Sequence, residues 1–271
     1  MYKFRPVTDR ILFMRNKIRD RVIQVDSERS VILTEAWKRI GDMPPLIRTA
    51  EGLYEICSKV SCPVEDFELI VGSLGKNFCG VGFNADWRGE GWTLKSVESG
   101  KWKLGDDGLY HSPPDEEPRM CIAPEDVEAF KEIREFWKGR TVGAMAQAWQ
   151  PEFFEELRDL GVSSYRNNSI MNTPCGHIAP GHKKIIDVGY GAIRQQALEW
   201  LEAHRGNLMG EDVEKYIFYV SAARTCEAGS ILCRRYAESC LKKAESCTDP
   251  KRKSELLTMA DGLAWIAENP A

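Results

Sequence analysis

From residue 8 onward, apolar side chains fall at Ile11, Met14, Ile18, Val22 and Val25, a mixed three and four spacing that predicts an amphipathic helix. A second helix is predicted from a cap at Asp26 or Ser27 through Val31, Ile32, Thr34, Glu35 and Trp37 to Gly41, after which Pro44 and Pro45 break the chain. Helical periodicity resumes over residues 46–58 through Ile47, Ala50, Leu53, Tyr54 and Cys57. Residues 67–72, Phe-Glu-Leu-Ile-Val-Gly, form a short apolar run suited to a strand. Residues 1–72 therefore read as helices followed by a first strand.

The texture then changes. Between residues 73 and 123 glycine recurs at positions 75, 80, 82, 89, 91, 100, 105 and 108, proline at 113, 114 and 118, and tryptophan at 87, 92 and 102. This predicts a long Gly- and Trp-rich loop region, of a size that is usually functional or ordered against something else. From Pro124 the pattern is helical through Val127, Phe130, Ile133, Phe136 and Trp137, and again from Met145 to Leu160. Residues 163–182 are polar and punctuated by Pro174, Gly176, Pro180 and Gly181, which predicts a loop. Three helices are expected to follow, over 183–204, 211–246 and 249–267. The fold class expected is mainly α, with one strand. Residues 124–271 therefore read as helices with a loop at 173–182; the last helices are apolar on more than one face and the sequence stops at Glu268-Asn-Pro-Ala271 just after a helix, so the chain as a whole is expected to be a piece of something larger.

Composition narrows the class. Of 271 residues, 43% are apolar and 29% charged, with a net charge of −4, which suits a folded core and argues against a disordered chain or a nucleic-acid binder. No apolar run reaches the roughly 18 residues of a membrane span, and Met1-Tyr-Lys-Phe-Arg-Pro lacks an export signal, so a cytoplasmic protein without a membrane partner is expected. Nine cysteines in such a setting are expected to be reduced. Cys226, Cys233, Cys240 and Cys247 recur every seven residues along one helical stripe, with neighbours about 10.5 Å apart in rise, too far for one metal ion. They read as small packing residues, as do Cys57 and Cys62, and no metal site is expected.

Gly80-Val-Gly82-Phe-Asn-Ala85 has the letters of a dinucleotide fingerprint, yet Asp86-Trp-Arg-Gly-Glu-Gly is expected to continue as loop, with no acidic residue about twenty positions on at a second strand. Val188-Gly189-Tyr190 has the tripeptide found around a radical-bearing glycine, but it lies where a helix is expected. The polar chemistry concentrates in residues 173–182, Thr-Pro-Cys-Gly-His-Ile-Ala-Pro-Gly-His. Pro stiffens this segment and Gly relaxes its dihedrals, which is how a loop presents a side chain at a fixed place. His177 there has two readings: an imidazole that contacts a substrate hydroxyl or carboxylate, or a brace for the next helix. Cys175 has no recognisable base with an orienting acid and reads as inert.

Several blocks, in order, carry a resemblance. They are Ser27-Glu-Arg29 with Leu33-Thr-Glu35-Ala-Trp, Pro44-Pro-Leu-Ile-Arg48, Glu68-Leu-Ile-Val-Gly72, Gly176-His177 with Pro180-Gly181, Ile231-Leu-Cys-Arg-Arg235-Tyr-Ala237, and Glu268-Asn-Pro-Ala271. Together they resemble the N-terminal portion of glycyl radical enzymes of the pyruvate formate-lyase-like superfamily, nearer its dehydratase, decarboxylase and lyase branch. After residue 72 the chain departs from the family's Gly-rich, Pro-Glu-containing continuation, having Ser73-Leu-Gly-Lys-Asn-Phe instead.

The resemblance implies a ten-stranded α/β barrel of two half-barrels wrapped by helices, of which these residues would be the N-terminal helical part. It implies anaerobic chemistry in which a glycyl radical oxidises a cysteine to a thiyl that takes hydrogen from a small organic substrate, whose C–O, C–N, C–S or C–C bond then breaks. The radical would be installed by an activating enzyme using S-adenosylmethionine and an iron–sulfur cluster, and the complete enzyme would be a homodimer. No radical-glycine loop and no catalytic cysteine are recognisable in the 271 residues, so no catalytic residue and no cofactor of its own are expected here. By carry-over, His177 is the one substrate-contacting residue. Two alternatives stay open: a non-catalytic helical scaffold or binding module, and one subunit of a split radical enzyme.

Overall fold

A computed structural model of the chain describes residues 6–73, 75–88, 93–148, 156, 160 and 181–271. In chain order the elements are α1 (Asp9–Arg19), β1 (Ile23–Asp26), α2 (Glu28–Ile40), α3 (Pro45–Lys59), β2 (Val81–Gly82), α4 (Ala85–Arg88), α5 (Thr93–Glu98), β3 (Lys103–Leu104), β4 (Tyr110–His111), β5 (Met120–Ile122), α6 (Pro124–Trp137), α7 (Val142–Ala148), α8 (His182–Ala203), α9 (Asp212–Ser246) and α10 (Pro250–Ile266). Helix dominates, as the periodicity predicts.

The sheet is the main correction. Its strands run in the order β2-β1-β5-β4-β3, with β1 parallel to both β2 and β5 and the β3–β4–β5 edge antiparallel. The helix expected through Val22 and Val25 ends at Arg19, and the chain re-enters as β1. Ile23 and Val25 are β-branched and suit a pleated position, and Val25 is fully buried between Val81 and Ile122, so lateral pairing on both sides overrides the helical spacing. Within residues 73–123, expected as loop, lie β2 to β5 and two short helices. Residues 67–72, expected as the first strand, form none. Arg252 donates to the Glu65 and Glu68 carbonyls at 2.8 and 2.6 Å, and the Ser73 amide donates to the Tyr236 hydroxyl at 2.9 Å, so side chains satisfy the flanking backbone groups that a ladder would need. Helix α7 ends at Ala148; most of the remainder of the helix expected to Leu160 lies outside the described residues.

Two cores are formed among the described residues. One joins Val25 and Ile122 of the sheet to Leu33 of α2, Ile56 of α3, and Val127, Phe130, Ile133 and Trp137 of α6. Phe130 and Trp137 are essentially fully buried, each side chain contributing about 2–3 kcal/mol of transfer free energy. The other core is the seam between α9 and α10, built from Ala237, Cys240, Ala244, Leu256, Met259 and Ala260, with Cys247 against it. Here the second half of the cysteine stripe, Cys240 and Cys247, packs against the following helix, as its spacing predicts. Helix α9 is the hub, touched by α3, α8 and α10. Its buried positions are mostly small, Ala223, Cys226, Ala228, Ser230, Ala237 and Cys240 among them, which lets three neighbours approach one helix. Among the described residues no helix is long and apolar enough to cross a membrane.

Candidate functional site

Parallel strands in α/β folds gather chemistry at their carboxyl ends. At the end of β1 stand Asp26 and Ser27, both buried. Asp26 accepts from the Lys76 amide through Oδ2 at 3.0 Å and from the Glu28 amide through Oδ1 at 3.2 Å. Asp126, in the first turn of α6, accepts from the Ser27 amide and hydroxyl at 2.9 and 2.7 Å, and the Lys76 ammonium reaches its other oxygen at 3.2 Å. Burial pushes the Asp26 carboxyl up, against the two amide hydrogen bonds that lower it, with the charge of Asp126 acting in the same upward sense. Backbone and side chain of this chain thus occupy both carboxylates. The cluster is a closed lock between sheet and helices and presents no free acid or base.

The signature residues quoted above are pins of the same kind. Ser27 holds Asp126, Glu28 accepts from the Ser61 amide and hydroxyl at 2.9 and 2.6 Å, and Arg29 donates to Asn84 at 2.6 Å. Thr34 accepts from the Trp137 indole at 2.8 Å, and Arg48 donates to the Gly41 carbonyl at 2.6 Å while stacking over Trp37. Arg235 donates to the Cys57 carbonyl at 2.9 Å, tying α9 to α3.

A second cluster lies where α8, α9 and the last five residues meet. Helix α8 is kinked at Gly189, whose φ of 78° and ψ of 164° leave the helical region. Such a break interrupts the i to i−4 ladder. The segment 267–271 supplies partners there: the Ala271 amide donates to the Ile186 carbonyl and the Gly191 amide to the Glu268 carbonyl, both at 3.0 Å. Close approach demands glycine. A Cβ at Gly189 would lie 2.5 Å from the Asn269 carbonyl carbon, and one at Gly191 2.7 Å from the Glu268 carbonyl oxygen. The Glu268 carboxylate is held by Arg194 of α8 at 3.0 Å and by Arg234 of α9. Ser230 of α9 donates to the Ala267 carbonyl.

Beside the kink, the Tyr190 ring lies on Gly229 of α9, where a Cβ would stand 2.8 Å from it. Cys226 and Cys233 lie three and four residues to either side of Gly229 on the same helical face. Burial pushes the Tyr190 phenol up, and Cys233, Cys226 and Cys57 act in the same direction. Burial also raises the Cys57, Cys226 and Cys233 thiols. Protonated thiols around a neutral phenol make a packed, unreactive pocket.

The sequence-predicted site residue, His177, lies outside the described residues, as does Cys175. The described chain resumes at Gly181, one residue before α8. Among the described residues no group of three or more His, Cys, Asp or Glu side chains converges to hold a metal. Sequence reasoning missed Gly191, Arg194 and Gly229, and named Gly189 only within a tripeptide it set aside. Glycines inside an otherwise helical pattern were the available signal, since each costs about 1 kcal/mol there unless close packing requires it.

A family model described as pyruvate formate lyase-like matches residues 7–271. The isethionate sulfite-lyase of Nitratidesulfovibrio vulgaris is 26% identical over 275 residues, covering 99% of this chain and 32% of that protein. The (2S)-3-sulfopropanediol dehydratase of Klebsiella oxytoca is 25% identical over 264 residues, covering 95% and 30%. Among solved structures, the glycerol-bound B12-independent glycerol dehydratase of Clostridium butyricum superposes with a TM-score of 0.82 at 25% identity, covering 99% of this chain and 32% of that one. The chain spans about a third of the length of these relatives.

Proposed function

The chain belongs to the pyruvate formate lyase-like family, and from that membership we propose that it serves as the N-terminal portion of a glycyl radical lyase or dehydratase acting on a small organic substrate. The bond cleaved would be C–O, C–N, C–S or C–C, the classes that the family resemblance implies. In the complete enzyme a glycyl radical, installed by an S-adenosylmethionine and iron–sulfur activating enzyme, would supply the hydrogen-atom chemistry, and no step of it is assigned to residues 1–271. The observation that carries the reading is collinearity. Signature blocks from Ser27 to Ala271 follow one another in the family's order, and relatives of the lyase and dehydratase type align along nearly the whole chain over about a third of their own length.

What this chain would contribute is a wall. The small sheet with α2 and α6, and the bundle of α3, α8, α9 and α10, are the outer helical part of a ten-stranded barrel completed by residues beyond 271. His177, on the Gly-His segment just before α8, would hydrogen-bond a substrate hydroxyl or carboxylate and so fix the substrate against the reacting centre. The same reading expects a homodimer, an activating-enzyme partner and a cytoplasmic, anaerobic setting. The test is His177→Ala in the full-length polypeptide. Loss of one positioned hydrogen-bonding group should lower turnover by about 10²-fold, while the radical signal read by electron paramagnetic resonance stays near wild type. Unchanged turnover overturns the role.

A further inference from the structure

We propose that the outer face of α1 is a docking surface for an amphipathic helix of another protein, one that carries carboxylates beside its apolar stripe. A helix of a folded chain ordinarily turns aliphatic side chains inward and charged ones to water. Helix α1 does the reverse. It lies on the body through Arg10, which reaches both Glu255 oxygens at 2.7 Å, and through Lys17, which pairs with Glu65 at 3.3 Å and lies over the Phe67 and Phe78 rings at 4.8 and 4.7 Å. Arg10 and Lys17 stand two turns apart on one face with half-buried Met14 between them, so cationic stems do the covering that aliphatic groups usually do. No residue of α1 is buried.

The opposite face gathers Ile11, Leu12, Arg15 and Ile18, which three- and four-residue spacing places side by side. All three aliphatic side chains are exposed. In their midst Arg15 makes no hydrogen bond or ion pair among the described residues. Aliphatic groups around one free guanidinium match a surface that brings apolar contact and a carboxylate together. Residues 9–21 carry five basic and two acidic side chains in a chain of net charge −4, so the complementary partner is acidic.

Charge also chooses among occupants. A second copy seated on this face would set Arg15 and Arg19 against the same two residues, a repulsive seam. A helix that lies in a membrane surface keeps its cations on the polar face and leaves the apolar face clear, whereas Arg15 stands in the middle of the aliphatic group. The 11 residues of α1 rise about 16 Å. That length supplies far less than the roughly 800 Å² a side of a standard interface and fits one helix laid along it.

The experiment uses the full-length polypeptide and a fluorescent synthetic peptide of about four helical turns, with leucine at helical spacing and glutamate on either side, alongside a form in which lysine replaces each glutamate. Fluorescence anisotropy should show the glutamate peptide binding at least about tenfold more tightly than the lysine form. Arg15→Glu, at an exposed side chain without a partner in the chain, should reverse that preference. Ile18→Asn should weaken the glutamate peptide about tenfold; if circular dichroism shows that this variant misfolds, Ile11→Asn gives the same reading. Equal affinity for the two peptides, or no binding of either, overturns the proposal. Self-association in sedimentation that Arg15→Glu abolishes assigns the face to a second copy and overturns it. So does binding to phosphatidylglycerol vesicles that the glutamate peptide fails to displace, which assigns the face to a membrane. Protection of residues 9–19 from hydrogen exchange before any peptide is added overturns it as well, since the polypeptide itself would then cover the face.

Discussion

Asp26 illustrates how a single residue ties sequence to fold in this protein. It ends a strand that helical spacing had hidden, and its carboxylate is enclosed by the Lys76 and Glu28 amides with Asp126 nearby. Burial raises its folded-state pKa, so the folded chain binds this proton more tightly than the unfolded chain does. The corresponding stability is fully present below the ordinary carboxylate value of about 3.9 and is lost as pH rises through the folded value. Glu55 has the opposite sign: Lys59 and Arg39 lower it, and its contribution is lost as pH falls through the lowered value. We therefore expect the stability difference between wild type and Asp26→Asn, measured by urea titration, to shrink as pH is raised from about 4. A difference independent of pH would contradict the burial of that carboxylate.

At the scale of elements, long helices were legible, whereas strands and the short helices α4 and α5 were not. Residues 28–40, 45–59, 124–137 and 212–246 announce themselves through caps, prolines and apolar spacing, because a helix stores its pattern locally. Strands β2 to β5 are two or three residues long, too short for alternation to register, and exist because β1 and the chain before α6 lie beside them. Residues 67–72 fail in the other direction. Their apolar letters suggest a buried strand, yet Ile70 is 89% exposed. The kink in α8 was hidden too, since its cause, the segment 267–271, lies some 80 residues away in sequence. Two glycines separate these influences. Gly189→Ala meets both a positive φ and the Asn269 backbone, and should cost about 2 kcal/mol or more. Gly262→Ala, within α10 with open space around it, should stabilise by about 0.5–1 kcal/mol. Denaturant titration of the pair checks this, and equal effects would refute the seat of that segment.

Across the whole molecule, what is legible in sequence is membership rather than chemistry. The Ser-Glu-Arg, Leu-Thr-Glu and Arg-Tyr-Ala blocks turn out to be pins that close one element on another, and pins are what a family repeats when its members share a scaffold but differ in substrate. The candidate site was less legible. His177 was named through resemblance, whereas the clamp of Arg194, Arg234 and Glu268 joins three distant stretches, which no local pattern reports. Large apolar side chains stay exposed on the hub bundle, among them Ile186, Met209, Phe218 and Trp265. Such faces suit contact with further polypeptide, which the proposed reading of the chain as a portion of a larger enzyme expects. Anaerobic treatment of the full-length polypeptide with an S-adenosylmethionine-dependent activating enzyme, as the proposed function requires, followed by electron paramagnetic resonance, puts that reading to the test. A glycine-centred signal that survives His177→Ala, from a residue outside 1–271, is the result expected; no glycyl signal in the activated wild-type protein would contradict it.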